Sequence, residues 1–328
     1  MRHILLAVLL LIPFLSASRA ETIAIARQYG VAFLPFILME DQKLIEKHAS
    51  ALGQPDLVVN WVVLSGAAAM NDGLLSGAIA FGSGAPPGLI LLWDKTHGKP
   101  NEVLGLGAIA TMPTTLNTRD PAVHSIADLT EADRIALPSV KISNAALVLE
   151  MATAKQFGAE NYDKFDHLTL TLGHPDAAVQ VMGTGEVNSH FASPPFEHLE
   201  LHNKAVHTIL SSLDVMGDAS LTDVWTTRTF ASQHPVAVQA MFEAMSEAIA
   251  TINADRSAAA DLYLRVTHDK IGKEALMEVL ADPHIIYGTA PLGTMAFADF
   301  MHRTGTIKTM PARWQDLFLP VAQSLPGN

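Results

Sequence analysis

Residues 57–95 read LVVNWVVLSGAAAMNDGLLSGAIAFGSGAPPGLILLWDK, and their punctuation decides the fold. Leu57–Leu64 is rich in β-branched residues and predicts a strand. Ser65-Gly66 ends it, and Ala67–Ser76 reads as a short helix with Ser65 as its N-cap. Ile79–Phe81 is a third short strand, stopped by Gly82-Ser83-Gly84 and two prolines, after which Leu89–Lys95 is helical. Strands alternating with short helices imply a parallel sheet covered by helices.

Working outward, Ile23–Ala26 is a strand, Tyr29-Gly30 breaks it, and Leu34–His48 has the spacing of one helix. Val103–Thr111 is a strand that runs out of this block. The pattern then repeats. Arg134–Leu137, His167–Leu172, Val187–Ala192 and Val206–Leu210 read as strands, and Ser143–Phe157 and Asp176–Met182 as helices. After Asp223–Thr226 the chain is mostly helical, with Pro235 at a favoured first-turn position. Val238, Met241, Phe242, Met245, Ile249 and Ile252 form an apolar stripe best read as core. Two consecutive blocks imply an α/β protein of two lobes with mixed or parallel sheets.

The ends and composition limit the function classes. MRHILLAVLLLIPFLSASRA has a basic start, an apolar run too short to span a membrane, and small residues at Ser18 and Ala20. It predicts export to the periplasm with cleavage after Ala20, leaving about 308 of 328 residues. No Cys occurs, so neither a lipid anchor nor a disulfide is available and the core alone must hold the fold. The longest later apolar run, Gly88–Trp93, is too short to span, so the exported chain is expected to be soluble. Removing Arg2 and Arg19 from the 21 basic residues leaves 19 against 33 acidic ones, a balance of −14. That argues against nucleic acid and anionic membranes as partners.

In open α/β sheets, ligands bind outside the carboxyl ends of the strands. The loops to weigh are therefore 27–35, 65–69, 82–88, 138–144 and 191–196. Ser193 stands before two prolines, which hold it extended and stop further strand pairing. The result is either a rigid ligand wall with one hydroxyl or a plain strand terminator. Ser143 and Asn144 suit a helix N-terminus that can hold an anion, and Lys141 either adds charge there or is solvated. Ser65, Gly66, Ser83 and Gly84 let backbone approach a ligand or simply make tight turns. Tyr29, Phe33, Phe191 and Trp225 are aromatics near the cleft; Trp61, mid-strand, reads as core.

Four segments carry a resemblance: IAIARQYG (23–30), LSGAAAMNDGLLSGAIAFGSGAPP (64–87), RIALPSVKISNAALVLEMATAKQFG (134–158) and HPDAAVQVMGTGEVNSHFASPPFE (174–197). In order and spacing the chain resembles periplasmic solute-binding proteins of the nitrate/sulfonate/taurine class, which feed ABC importers. The resemblance implies two lobes, joined by crossings near Ala108–Pro113 and Asp214–Trp225, that close like a hinge. It divides the chain into a signal (1–20), lobe I (21–110 and 219–328) and lobe II (111–218). It also implies a small-molecule solute, anionic or aromatic, a permease with its cytoplasmic ATPase as partners, a monomer, and no cofactor. The binding candidates are then Tyr29, Phe33, Ser65, Gly66, Ser83, Gly84, Lys141, Ser143, Asn144, Phe191, Ser193, Pro194 and Trp225. Relatives often carry Trp-Asp-Pro where this chain has Ala192-Ser193-Pro194-Pro195, and an Asp near Ala80. Their absence removes a counter-charge for an amino-bearing solute such as taurine.

Two other classes are weaker. His190, His198, His202 and His207 lack the spacing of a metal site, since Glu200 does not directly follow His198. No coherent Ser/His/Asp set, nucleophile elbow or carboxylate pair is visible, so no catalytic residue is expected. An enzyme of this fold related to thiamine-pyrimidine synthesis, or a sensor that binds a solute without transport, are the alternatives.

Overall fold

A computed structural model describes residues 21–64 and 66–328. The export signal read at residues 1–20, and Ser65 with its capping role, lie outside the described residues.

Strand β1 (Thr22–Arg27) leads through helices α1 (Leu34–Gln42) and α2 (Leu44–Ala51) to β2 (Val58–Val63), then α3 (Gly66–Leu75), β3 (Gly82–Gly84), α4 (Pro86–Thr96) and β4 (Val103–Thr111). A second block follows: β5 (Thr115–Thr118), β6 (Ile135–Leu137), α5 (Asn144–Phe157), β7 (Thr169–Thr171), α6 (His174–Met182), β8 (Ser189–Ala192), α7 (Phe196–Leu201) and β9 (His207–Ser211). Helix α8 (Ser212–Met216) and β10 (Ser220–Thr227) return the chain to α9 (Arg228–Gln233), α10 (Pro235–Ala254), α11 (Arg256–Thr267), α12 (Lys273–Leu280) and α13 (Thr294–Arg303).

β1 pairs in parallel with β2, from Thr22 opposite Val58 to Arg27 opposite Val63. β10 lies antiparallel between β3 and β4. The second block forms one five-stranded sheet ordered β7-β6-β8-β5-β9, with β5 antiparallel to both neighbours. α10 packs on α1 and α2, and α13 on α4, so the C-terminal helices cover the first block. The apolar stripe of α10 is core: Val238, Met241, Met245, Ile249 and Ile252 are buried.

The chain passes between the blocks twice, at residues 112–114 and 212–219. The passages are tied: Ser212 N–H donates to Thr114 O at 2.9 Å, and Thr114 N–H to Ser212 Oγ at 3.0 Å.

Three sequence expectations need correction. The helix expected over Leu34–His48 is two, because Lys43 takes the left-handed conformation (φ 50°, ψ 45°) and resets the axis. Gly82-Ser83-Gly84 does not end the third strand; it is that strand, while Phe81 makes only a single bridge to Ile25. Glycine is needed because Trp225 lies opposite Gly82, and a Cβ there would run into its indole. β5 was not expected, since TLNT is a short polar run. It is nonetheless the paired interior of its sheet, with Leu116, Asn117 and Thr118 buried.

Candidate functional site

One cavity of about 70 Å³ is lined by residues of both blocks. On this measure one water needs about 10–15 Å³, so the cavity admits several water-sized groups. Four strand-end loops reach it: 27–35 through Gln28, Tyr29, Ala32 and Phe33; 82–88 through Gly84 and Ala85; 138–144 through Pro138, Ile142, Ser143 and Asn144; 191–196 through Phe191 and Ser193. Thr114, Ala145, His174, Leu221 and Thr222 complete the wall. Among these residues there is no Lys, Arg, Asp or Glu.

Three helices begin at the cavity, and they differ in what they offer. α4 starts with Pro86 and Pro87, which have no N–H to give. α6 has Pro175 in its first turn and presents the His174 imidazole instead. α5 presents free backbone donors beside a capping hydroxyl. Ser143 caps it by accepting from Ala146 N–H at 3.2 Å, while the N–H groups of Asn144 and Ala145 have no intrahelical partner. The positive end of a 14-residue helix therefore meets the cavity without a nearby lysine. Thr114 fixes the Asn144 side chain, its hydroxyl donating to Oδ1 at 3.1 Å. The buried Thr222 hydroxyl has no protein partner among the described residues.

Seven of the sequence candidates line the cavity: Tyr29, Phe33, Gly84, Ser143, Asn144, Phe191 and Ser193. The others do not. Lys141 is exposed, takes φ 66° and stands 3.9 Å from Asp166, so its charge faces solvent and an acidic neighbour. Ser83 is buried with its hydroxyl donating to Ala26 O at 2.7 Å, which holds β1 to β3. Trp225 is fully buried within its sheet.

Gly66 and Pro194 lie where the two blocks meet and not on the wall. Gly66 has φ 81°, and a Cβ there would lie 2.5 Å from Pro138 O. Gly30 has φ 100°, and its Cβ would lie 2.9 Å from Pro194 O, which accepts from Val31 N–H at 3.3 Å. Bare backbone at these two points lets the blocks meet. Gln28 ties the same region together, accepting from Gly66 N–H at 3.3 Å and donating to Ser83 O at 3.4 Å.

Sequence reasoning missed a buried chain of side chains behind Ser193. Its Oγ lies 3.2 Å from His174 Nε2, and His174 Nδ1 lies 2.8 Å from His190 Nε2. His190 Nδ1 lies 2.5 Å from Glu200 Oε1, with both side chains fully buried. Asn117 Nδ2 donates to the other Glu200 oxygen at 2.9 Å. This chain holds two histidines and a Glu, and is not the Ser/His/Asp set that the sequence lacked. The only sequence signal was His190 ten residues before Glu200, which no local periodicity marks. Burial draws the His190 imidazole down to about 3, burial and His190 draw His174 well below its ordinary value, and burial pushes Glu200 up to about 8. Of the other histidines of the metal reading, His207 meets Val123 O, and His202 meets His198 O with the two rings 4.7 Å apart.

No family model and no curated protein matches the chain. Solved structures do. The alkanesulfonate-binding protein SsuA from Xanthomonas axonopodis pv. citri, bound to MOPS, superposes with TM-score 0.68 at 20% identity, over 94% of this chain and 100% of that one. The periplasmic nitrate-binding protein NrtA from Synechocystis PCC 6803 gives TM-score 0.67 at 13% identity, over 94% and 86%. The Candida albicans CA3427 product, described as having the generic periplasmic binding protein fold, gives 0.67 at 14%, over 88% and 92%. At these identities the likeness establishes architecture: the chain has the two-lobed α/β fold of periplasmic binding proteins.

Proposed function

We propose that this protein is the solute-capturing component of an ABC importer and closes its two lobes on a small organic anion. The observation that carries this reading is the cavity itself. It is walled by both lobes, holds no ionised carboxylate, lysine or arginine, and receives the free N–H groups of α5. The anionic group is held by Asn144 N–H, Ala145 N–H and the neighbouring hydroxyls. An apolar remainder packs on Phe33, Phe191 and Leu221. Lobe I comprises 21–110 and 219–328 and lobe II comprises 111–218, with the tied passages at Thr114 and Ser212 as the hinge. Closure is stabilised when one solute touches both lobes. The chain works as a periplasmic monomer after removal of residues 1–20, and hands its solute to a membrane permease driven by a cytoplasmic ATPase.

Thermal denaturation with methanesulfonate, acetate, benzoate and nitrate tests this, with acetamide and benzamide as neutral controls. At about 100 times Kd, binding adds about 2.7 kcal/mol. At least one anion is therefore expected to raise Tm by several degrees while the neutral controls do so less. Equal effects of anions and neutral isosteres, or no effect at all, would overturn the reading.

A further inference from the structure

The chain Ser193–His174–His190–Glu200 has a property that its hydrogen count makes definite. Each of its three links joins two atoms that share one proton, because neither two lone pairs nor two N–H groups can face each other at 2.8 Å. With both imidazoles neutral, only two arrangements fill every link. In the first, Glu200 is a carboxylate that accepts from His190 Nδ1–H, His190 Nε2 accepts from His174 Nδ1–H, and His174 Nε2 accepts from the Ser193 hydroxyl. In the second, one proton has been added. The Glu200 carboxyl donates to His190 Nδ1, His190 Nε2–H donates to His174 Nδ1, and His174 Nε2–H donates to Ser193 Oγ. The Ser193 hydroxyl proton is then free to turn into the cavity.

We propose that one proton on this buried chain sets the polarity of the solute site, turning Ser193 from an acceptor toward the cavity into a donor. The inference rests on the cavity being the solute site. Its consequence is that a small anion favours the protonated chain, for two reasons. The added proton supplies a hydroxyl donor, and it removes the carboxylate charge from behind the wall. His174 and Ser193 contact the solute, while His190 and Glu200 are positioning residues.

The surroundings fit this role. Asn117 fixes the outer Glu200 oxygen, and the Thr208 hydroxyl donates to Asn117 Oδ1 at 2.8 Å. An amide donor passes no proton, so exchange occurs on the cavity side. The ionisable groups facing the chain are His174 on α6, His190 on β8, and Glu197 and Glu200 on α7. The Glu197 carboxyl is also pushed up to about 8 by burial, with Glu200 and Asp282 adding to it. Arg119, beyond Asn117 on β5, is taken by the carbonyls of Gln180, Gly185 and Val187. Among the described residues, Glu200 has no Lys or Arg ion pair. Burial holds both imidazoles neutral and Glu200 protonated near neutrality, which places the added proton on the carboxyl. A nucleophilic role for Ser193 is disfavoured, because Pro194 removes the following backbone N–H that would hold an oxyanion.

The test needs no solute. In the full chain labelled with 15N-histidine, two-bond 1H–15N spectra report the tautomer of each ring across pH 6–10. His174 and His190 are assigned by His174→Gln and His190→Gln. In the wild type both rings are expected to switch together from Nε2–H to Nδ1–H as pH rises, without passing through imidazolium. In Glu200→Gln the amide NH2 donates permanently to His190 Nδ1, so both rings stay Nε2–H throughout. Independent titration of the rings, unchanged wild-type tautomers, or a Glu200→Gln protein that switches like the wild type would each overturn the proposal. Failure of every anion to raise Tm would instead strike the solute reading, leaving the tautomer result standing.

Discussion

Glu150, Glu197, Glu200 and Asp223 share one condition: burial pushes each carboxyl up to about 8. Unfolded, they ionise near 4.5 or, for Asp223, 3.8. Between these values and 8 the folded protein holds protons that the unfolded chain has released, so stability falls as pH rises. The imidazoles of His174, His190 and His198 act in the opposite sense. They are drawn below 6.5 chiefly by burial, so their cost appears only as pH falls below 6.5. The window from 6.5 to 8 therefore isolates the carboxyls. Urea unfolding is expected to show stability lower at pH 8 than at pH 6.5, by roughly 2 kcal/mol or more, given about 1.4 kcal/mol per pH unit per shifted group. A level or rising profile would mean that these carboxyls are ionised in the folded state. At this scale the sequence was partly legible. Ser143 and Ser193 carry local signals, a cap position and a proline brake. His174 and Glu200 carry none, because their meaning lies in contacts made across the fold.

The helix and strand ends do most of the positioning. Four strand-end loops converge on one cavity, as the rule for open α/β sheets requires. That convergence could be read from the alternation of apolar runs and Gly or Pro breaks. What could not be read was pairing. Gly82-Ser83-Gly84 looks like a turn, and only the indole of Trp225 opposite Gly82 explains why a strand is written in glycine. TLNT looks like a loop, yet the side chains of Asn117 and Thr118 bond to partners remote in sequence. Gly30 and Gly66 give a specific expectation at this scale. Their Cβ positions press on Pro194 O and Pro138 O, so alanine at either one costs backbone strain and also separates the lobes. Gly30→Ala and Gly66→Ala proteins should fold but close poorly. Small-angle scattering is expected to give a larger radius of gyration than the wild type, while far-UV circular dichroism stays the same. An unchanged radius would show that neither glycine is a closure contact.

For the molecule as a whole, charge and shape divide the work. The chain carries a formal net charge of −12, yet its cavity is lined by neutral groups and the starts of helices. On the proposed reading, selectivity for an anion comes from short-range donors and not from a long-range field. The two-lobe plan was legible as two successive α/β blocks, and the return of the C-terminal helices to the first block was implied by resemblance. Lys141 shows where such reasoning stops: two residues from a good N-cap, it points at Asp166 and solvent. The most direct measurement is native mass spectrometry of the gently purified protein, followed by denaturation and identification of any released molecule. A small organic anion at one per chain, lost in a Ser143→Ala/Ser193→Ala variant that keeps its fold, is the expected result. A solute retained unchanged by that variant, or a protein that neither carries nor takes up any small anion, would contradict the assignment of this cavity as the binding site.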